Sequence, residues 1–290
     1  PCSHHGKSPP CADAIVAAGL ARVVSSMEDP NPEVAGQGHA RLRSAGIVVD
    51  VGTGGDEARR DHAGHIMRMR EGRPHVMLKL AISADGKVGA AGRTPVAITG
   101  AEVRDRVHLL RAQSDAIMVG IGTALADDPL LTCRLPGMEK DSPVRIVLDT
   151  TLRLPRASRL VQTAREVPVW VVAGAAAPRA AEEALAADGV VVLEAPELSD
   201  GLDIAAVLKV IAGRGITRLM VEGGPTIAAG FVAAELVDEA VLFHSSTIIG
   251  PDGIDALDGL PLTELTQSGV LGHLATEPIG ADRCDVFERR

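Results

Sequence analysis

The sequence has very few aromatic residues: one tryptophan, three phenylalanines and no tyrosine among 290 residues. Flat ligands such as nucleobases commonly stack on aromatic side chains, so a planar ring would find few stacking partners here. The sequence also has no basic stripe, and its net charge is -9. Both deficits argue against a nucleic-acid-binding protein.

Cysteine and long apolar segments are scarce as well. Four cysteines, at positions 2, 11, 133 and 284, cannot form a dense disulfide framework, and no apolar run has the length of a membrane span. We therefore expect a cytoplasmic protein without a membrane partner. The chain begins at Pro1, without a methionine or a signal-like segment, and we expect a truncated start.

The negative charge is unevenly distributed. Residues 1–73 contain nine Lys and Arg against nine Asp and Glu, so the acidic excess falls on the remainder. An anionic ligand must therefore be held by a few local cations, and not by the overall field of the protein. Isolated Arg and Lys residues in apolar surroundings are the candidates for such contacts.

The distribution of apolar residues predicts two domains. Residues 12–51 contain short helix and strand patterns, too few for a closed domain, and residues 54–72 form a polar helical connector. From His75 onward, short apolar runs alternate with helical patterns. This alternation predicts an α/β fold with a mostly parallel sheet covered on both faces.

The opening PCSHHGKSPPCADAI contains two candidate zinc ligands, Cys2 and Cys11. A Pro-Pro pair precedes Cys11 and predicts that a helix begins there, where backbone N–H groups favour the thiolate that binds metal. Two thiolates, one imidazole and a water would form an open, catalytic zinc site. The C-x8-C spacing alone fits two unrelated buried thiols equally well.

The third ligand is less clear. His4 and His5 lie close to Cys2 but could equally line a pocket, and no H-x-E segment of the nucleobase deaminase type occurs. His39, His62 and His65 fall on polar helices or turns, so we expect them to be solvated.

Three segments of the second half point to a nucleotide site. KLAISADGKV reads as a strand that closes in an Asp-Gly turn, and DAIMVGIGTALADDPLLTCR contains a Gly-x-Gly turn, by itself a weak signal. RLMVEGGPTIAAG reads as a strand, a Gly-Gly turn and a helix whose free N–H groups suit a phosphate.

These three segments, together with the opening PCSHHGKSPPCADAI and the segment DPNPEVAGQG, resemble the bifunctional riboflavin biosynthesis deaminase/reductase family. The resemblance covers essentially the whole chain. The resemblance implies the back part of a cytidine-deaminase-like zinc domain at residues 1–72 and an NADPH-dependent, dihydrofolate-reductase-like domain with a mostly parallel sheet at residues 73–290. In the family, the His ligand and the proton-shuttling Glu lie upstream. We therefore predict that this chain lacks deaminase activity and binds zinc weakly.

The resemblance also assigns residues. It places five single positions and one short segment at NADPH, five residues at the substrate, and two at zinc. Ala97 replaces a tryptophan common in the family and Pro95 replaces a serine, whereas Trp170 reads as core. The assigned NADPH residues are Ala81, Ala97, Thr123, Asp127, Thr150, Gly224, Pro225, Thr226, Ile227 and Ala228; the substrate residues are Pro95, Arg111, Leu131, Arg134 and Glu222; the zinc ligands are Cys2 and Cys11.

The implied reaction is hydride transfer from NADPH to C1 of a ring-opened ribosyl group on an aminouracil phosphate. In the untruncated protein a zinc-dependent deamination of the diaminopyrimidine precursor precedes it, and the family forms homodimers. The residues leave the proton donor open between Lys79, Asp127, Glu222 and a bound water. Two alternatives stay open: a stand-alone reductase of a pterin, and a non-catalytic zinc or nucleotide-binding module.

Overall fold

The computed structural model describes residues 1–6, 8–32, 34–93, 96–199 and 201–290. The chain forms two compact units, Pro1–Pro74 and His75–Arg290. Pro95, assigned above to the substrate, lies outside the described residues. Among the described residues, every helix is too short or too polar to cross a lipid bilayer.

The first unit pairs two short parallel strands beside a layer of helices. Its small apolar core contains Ala12, Leu42 and Ile47. The helix predicted at the Pro-Pro pair begins at Cys11, as expected. The elements are α1 (Cys11–Ala17), β1 (Arg22–Ser25), α2 (Gln37–Ser44), β2 (Val48–Val51), α3 (Gly55–Asp61) and α4 (Ala63–Glu71).

One histidine of this unit contradicts the expectation of a solvated side chain. His62 and His65 are exposed, but His39 is buried on α2, and its Nε2 lies 3.0 Å from Ser25 Oγ on β1. Burial is the largest influence that lowers the pKa of His39. The expectation was wrong because the residues around His39 in the sequence are polar, so the sequence does not indicate that this face of α2 packs on the strands.

The second unit is built on one large sheet flanked by helices on both faces. Its strands are β3 (His75–Ile82), β4 (Lys87–Gly89), β5 (Ala116–Gly120), β6 (Val144–Leu148), β7 (Val169–Ala173), β8 (Val191–Glu194), β9 (Glu197–Leu198), β10 (Gly201–Leu202), β11 (Arg218–Val221), β12 (Glu239–His244), β13 (Ile254–Asp255), β14 (Leu271–Ile279) and β15 (Asp282–Arg289). Its helices are α5 (Ala101–Ala112), α6 (Ile121–Asp127), α7 (Arg159–Gln162), α8 (Arg179–Ala187), α9 (Ile204–Gly213), α10 (Pro225–Ala233) and α11 (Thr263–Thr266).

The strand order in the large sheet is β14-β15-β12-β3-β11-β5-β6-β7-β8, and all neighbours from β12 to β8 pair in parallel. Successive residues alternate between the two faces, so Leu78 and Leu80 pack with α9 and α10, whereas Met77 packs with α5 and α6. The predicted parallel sheet is confirmed. The antiparallel hairpin β14–β15 was not predicted, because β14 is largely exposed and neither strand contains a continuous apolar run.

The chain order also explains where a ligand can bind. Strand β11 lies between β3 and β5, and β12 follows on the other side of β3, so the direction of strand addition changes here. In open parallel sheets, ligands bind beyond the carboxyl ends of the strands at such a switch point. Functional side chains are therefore expected at the carboxyl ends of β3, β11 and β5.

The pH dependence of stability should report on a carboxyl group at the other end of the strands, at the start of β12. Glu239 begins β12 directly opposite Glu288 of β15. Burial, then repulsion from Glu288, raises the pKa of Glu239 to about 7, and Arg218 opposes the shift. A folded-state pKa above the unfolded value contributes stability that is complete below pH 4.5 and is lost as the pH rises through about 7.

We expect the free energy of unfolding of Glu239→Gln to be about the same as that of the wild type at pH 5. At pH 8 it should be higher than that of the wild type by about 2 to 3 kcal/mol, because the amide removes the buried charge. Urea unfolding at both pH values measures the difference. Equal pH dependence in the two proteins would contradict the assignment.

Candidate active site

A cleft of about 430 Å³ lies at the carboxyl ends of β3, β5 and β11. Parallel pairing brings together residues that are far apart in the sequence. Its lining contains eight residues assigned from the sequence: Ala81, Arg111, Thr123, Asp127, Leu131, Glu222, Gly224 and Pro225.

Three charged side chains meet on one wall of the cleft. Glu222 follows β11, Lys79 lies on the adjacent β3, and Arg111 is in the last turn of α5. Lys79 Nζ donates to Glu222 Oε1 at 3.2 Å. Arg111 donates to both carboxylate oxygens of Glu222: its Nε donates to Oε2 at 3.1 Å, and its Nη2 donates to Oε1 at 3.0 Å and to Oε2 at 2.9 Å. Its Nη1 donates to the Thr132 carbonyl at 3.1 Å.

This charged cluster is largely removed from solvent, since its three side chains are only 11% to 13% exposed. Burial acts against ionisation and is the largest single influence on Glu222. The positive charges of Lys79 and Arg111, and the hydrogen bonds they donate, nevertheless hold the pKa of Glu222 below its usual range. Two cations thus surround one carboxylate, and the cluster carries a net positive charge.

The opposite part of the cleft is formed by glycines that allow close backbone approach. The Gly224 N–H donates to Thr123 Oγ1 at 3.0 Å. A Cβ at Gly224 would lie 2.9 Å from that hydroxyl, and one at Gly120 would lie 2.7 Å from Ile227. The Gly-x-Gly and Gly-Gly turns of the sequence therefore pack against each other, and larger residues would separate them.

Helix α10 begins at this contact. Gly224 is its N-cap without a side-chain cap, and Pro225 occupies the first turn. The Thr226 and Ile227 N–H groups belong to the helical first turn, which offers them no intrahelical acceptor. Such a helix start, together with its dipole, favours a bound anion such as a phosphate.

The floor of the cleft includes a loop with an unusual backbone. Asp128 has φ 38° and Leu131 has φ 56°, both in the left-handed region. For non-glycine residues this conformation costs roughly 1 to 2 kcal/mol each, so the surrounding structure must hold it. The Leu131 side chain is nevertheless buried and contributes to the lining.

Arg134 follows this loop in the sequence, and its exposed side chain adds a positive charge near Arg111. Although the side chain is exposed, its partial desolvation, followed by repulsion from Arg111 and Arg159, lowers the pKa of Arg134. The Arg134 backbone N–H donates to His108 Nδ1 at 3.3 Å. Burial and the charges of Arg111 and Arg134 lower the pKa of His108, which favours the neutral form of its ring. A bound anion would relieve the repulsion among these arginines.

Other residues assigned from the sequence are not part of the lining. Ala97 is exposed, although its neighbour Val96 reaches the cleft. Thr226 Oγ1 donates to Asp258 at 2.8 Å, and the Thr150 carbonyl accepts from the Gly174 N–H at 3.0 Å. The Ala228 side chain is fully buried, and its N–H donates to the Gly224 carbonyl.

The candidate zinc ligands lie in the first unit. The Cys11 backbone N–H donates to Cys2 Sγ at 3.3 Å. This bond is the main cause that lowers the pKa of the Cys2 thiol. Within the described part of the chain, no cluster of three or more metal-binding side chains forms. Two thiols fall short of the three protein ligands of a catalytic zinc, so we derive no chemical step from zinc.

Sequence reasoning named Lys79 as a candidate proton donor but missed several other lining residues. Val88 and Gly89 follow the Asp-Gly turn on β4, and Ile254 faces them from β13. For Val88 and Gly89 the sequence did offer a signal, because an Asp-Gly turn predicts that a second strand follows it. Ile254 lies 165 residues from Gly89 in a strand of two residues, and no local sequence pattern predicts that it lines the cleft.

Comparisons with known proteins agree with this architecture. A family model described as RibD C-terminal domain matches residues 74–274. Riboflavin biosynthesis protein RibD of Escherichia coli strain K12 is 40% identical over 98% of this chain and 78% of its own length. RibD of Acinetobacter baumannii superposes with a TM-score of 0.84 at 30% identity, covering 100% of this chain and 79% of that one.

A third similar protein carries a more detailed name. The Thermotoga maritima structure is described as a diaminohydroxyphosphoribosylaminopyrimidine deaminase/5-amino-6-(5-phosphoribosylamino)uracil reductase. It superposes with a TM-score of 0.81 at 30% identity and covers 100% of this chain and 77% of its own. The chain therefore belongs to the RibD family of riboflavin biosynthesis proteins.

Proposed function

We propose that the second unit reduces 5-amino-6-(5-phosphoribosylamino)uracil with NADPH to the ribitylamino product. The observation that carries this proposal is the buried cluster of Lys79, Arg111 and Glu222 in a cleft that ends at the start of α10. One end of the cleft offers charged groups to a polar substrate. The other end offers a helix start to a phosphorylated cofactor.

The residues present fit NADPH. The first turn of α10, with Gly224, Pro225, Thr226 and Ile227, would hold its phosphates through backbone N–H groups, and Ala81, Thr123 and Asp127 would line its nicotinamide half. When bound, NADPH supplies a hydride. The protein contributes the alignment of donor and acceptor, and the apolar lining residues Leu131 and Ile254 would help to exclude water.

The cluster also supports an assignment of the proton donor. Reduction at C1 requires a proton on the nitrogen bonded to that carbon. Glu222 is held ionised by its two cations, and an arginine does not release its proton at neutral pH. Within the cluster, the Lys79 ammonium is therefore the group that can donate, and Glu222 orients it.

The substrate phosphate is best accommodated near Arg134. Arg111 lies in the cleft, but its guanidinium already donates to Glu222 and Thr132. Arg134 is exposed, faces the charges of Arg111 and Arg159, and gains most from an anion. A guanidinium fork suits the oxygens of a phosphate.

For the first unit we propose the zinc-ligand half of a deaminase site, with Cys2 and Cys11 as ligands and residues 1–72 as its extent. Its support is the contact between the two cysteines at the start of α1. Weak zinc binding, absence of deaminase turnover in this chain, and homodimerisation stay predictions.

The proposed reaction is tested by incubating the purified chain with NADPH and 5-amino-6-(5-phosphoribosylamino)uracil and following cofactor fluorescence. We expect oxidation of NADPH only when the phosphorylated substrate is present. Dihydrofolate is the control for the alternative pterin reductase. Turnover of dihydrofolate without turnover of the aminouracil would overturn the proposal, and binding of NADPH without any turnover would favour a non-catalytic module.

A further inference from the structure

The second unit contains a buried cation outside the cleft. The Arg145 side chain on β6 is fully buried. Its Nη1 donates to the Leu130 carbonyl at 3.2 Å and to Thr163 Oγ1 at 2.8 Å, and its Nη2 donates to the Thr163 and Val167 carbonyls at 3.0 and 2.5 Å. Within the described residues, its hydrogen-bond partners are all neutral, and its Nε donates to none of them.

Such a group is costly to maintain. Burial lowers the pKa of Arg145 to about 10, so the guanidinium still carries its charge at neutral pH. Removing a cation from water is unfavourable, and neutral acceptors compensate for only part of the loss. An apolar side chain would fill the core of the sheet at lower cost, so stability alone does not explain an arginine here.

The bond to Leu130 connects this cation to the cleft. Leu130 belongs to the loop 128–131, in which Asp128 and Leu131 adopt left-handed backbone conformations. The loop is tied at one end, where the Arg159 N–H at the start of α7 donates to Asp128 Oδ1 at 2.8 Å. Arg145 ties the other end at the residue before Leu131. Two ties hold a conformation that the chain does not prefer by itself.

We propose that Arg145 is a positioning residue that fixes the Leu130–Leu131 turn, so that Leu131 presents its side chain to the substrate in the cleft. The substrate part of this inference rests on the proposed function. The planar fork of arginine explains the choice of residue, because it joins the cleft loop to the segment 163–167 through separate N–H groups. A lysine or a glutamine cannot make all of these bonds at once.

Arg145→Gln and Arg145→Lys are expected to raise the KM for the phosphorylated substrate about tenfold, because misplacing a contact by about an ångström is costly. The kcat and the NADPH dissociation constant are expected to stay as in the wild type. Arg145→Lys keeps the charge and most of the length, and it carries the test if Arg145→Gln does not fold.

Thr163→Val is the matched control. It removes one acceptor of the same guanidinium but leaves the bond to Leu130, so it is expected to lower stability without changing the substrate KM. A wild-type KM in the Arg145 variants, with stability lowered as in Thr163→Val, would reduce Arg145 to a structural role and overturn the proposal.

Amide hydrogen exchange gives a readout independent of turnover. The Cys133 and Arg134 N–H groups donate to the Ser142 and His108 side chains, so their exchange reports on this loop. We expect faster exchange in segment 128–134 of Arg145→Lys but not of Thr163→Val. Wild-type exchange in both would overturn the positioning role. If the wild type itself failed to oxidise NADPH with this substrate, the proposed function would fail, and exchange alone would decide on Arg145.

Discussion

The Lys79→Met variant is expected to bind NADPH as the wild type does but to reduce the aminouracil substrate roughly 100-fold more slowly or worse, the usual contribution of a positioned general acid. Lys79 lies in the cleft with its ammonium 3.2 Å from Glu222 Oε1. Methionine has a similar length but no proton to donate. Single-turnover measurements of NADPH oxidation separate the chemical step from product release.

Lys79→Arg separates a need for charge from a need for a proton. Arginine can still pair with Glu222, but it does not release its proton at working pH. We expect it to be as slow as Lys79→Met. If Lys79→Arg retained most of the wild-type kcat, the role of Lys79 would be electrostatic, and the assignment of the proton donor would be wrong.

The Glu222→Gln variant is expected to lose both stability and activity. Without the carboxylate, the cations of Lys79 and Arg111 face each other in a largely buried site. Breaking a buried ion pair by removing one partner costs about 3 to 5 kcal/mol. Lys79 would also lose the carboxylate that orients its ammonium, so the kcat of the variant should fall well below that of the wild type.

Asp238→Asn provides the control for that experiment. Asp238 is also a buried carboxylate, paired with Arg289 at 2.8 Å and accepting from the Val76 N–H at 2.9 Å, but it is not among the cleft residues. It should lower the free energy of unfolding by a similar amount while leaving the kcat unchanged. A kcat of Glu222→Gln equal to that of the wild type would contradict the role of Glu222.

The fold was largely predictable because apolar strands alternate with helices in a way that few architectures satisfy. Burial on both faces produces continuous apolar runs such as VRIVL and VWVVA, and these became β6 and β7. The hairpin β14–β15 escaped prediction because LGHLATEPI is largely exposed and carries no apolar periodicity. Tertiary pairing with β12, and not local preference, fixes it as part of the sheet.

The residues of the site were more predictable from the sequence than the contacts between them. The resemblance selected Arg111, Leu131 and Glu222, and all three line the cleft. The sequence did not indicate that Arg111 would bind Glu222 through two oxygens, because 111 residues separate them and only the parallel order of β3, β11 and β5 brings them together. Arg145 could not be found at all, since VRIVL reads as an ordinary strand.

The direct test of the central claim is the fate of the transferred hydrogen. The purified chain would be given 5-amino-6-(5-phosphoribosylamino)uracil and NADPH that carries deuterium at the transferred position of its nicotinamide ring. We expect a ribitylamino product with deuterium at C1, seen by mass spectrometry and NMR. Ribitylamino product without deuterium at C1 would contradict the account, as would deuterated tetrahydrofolate from a parallel incubation with dihydrofolate when no deuterated ribitylamino product forms.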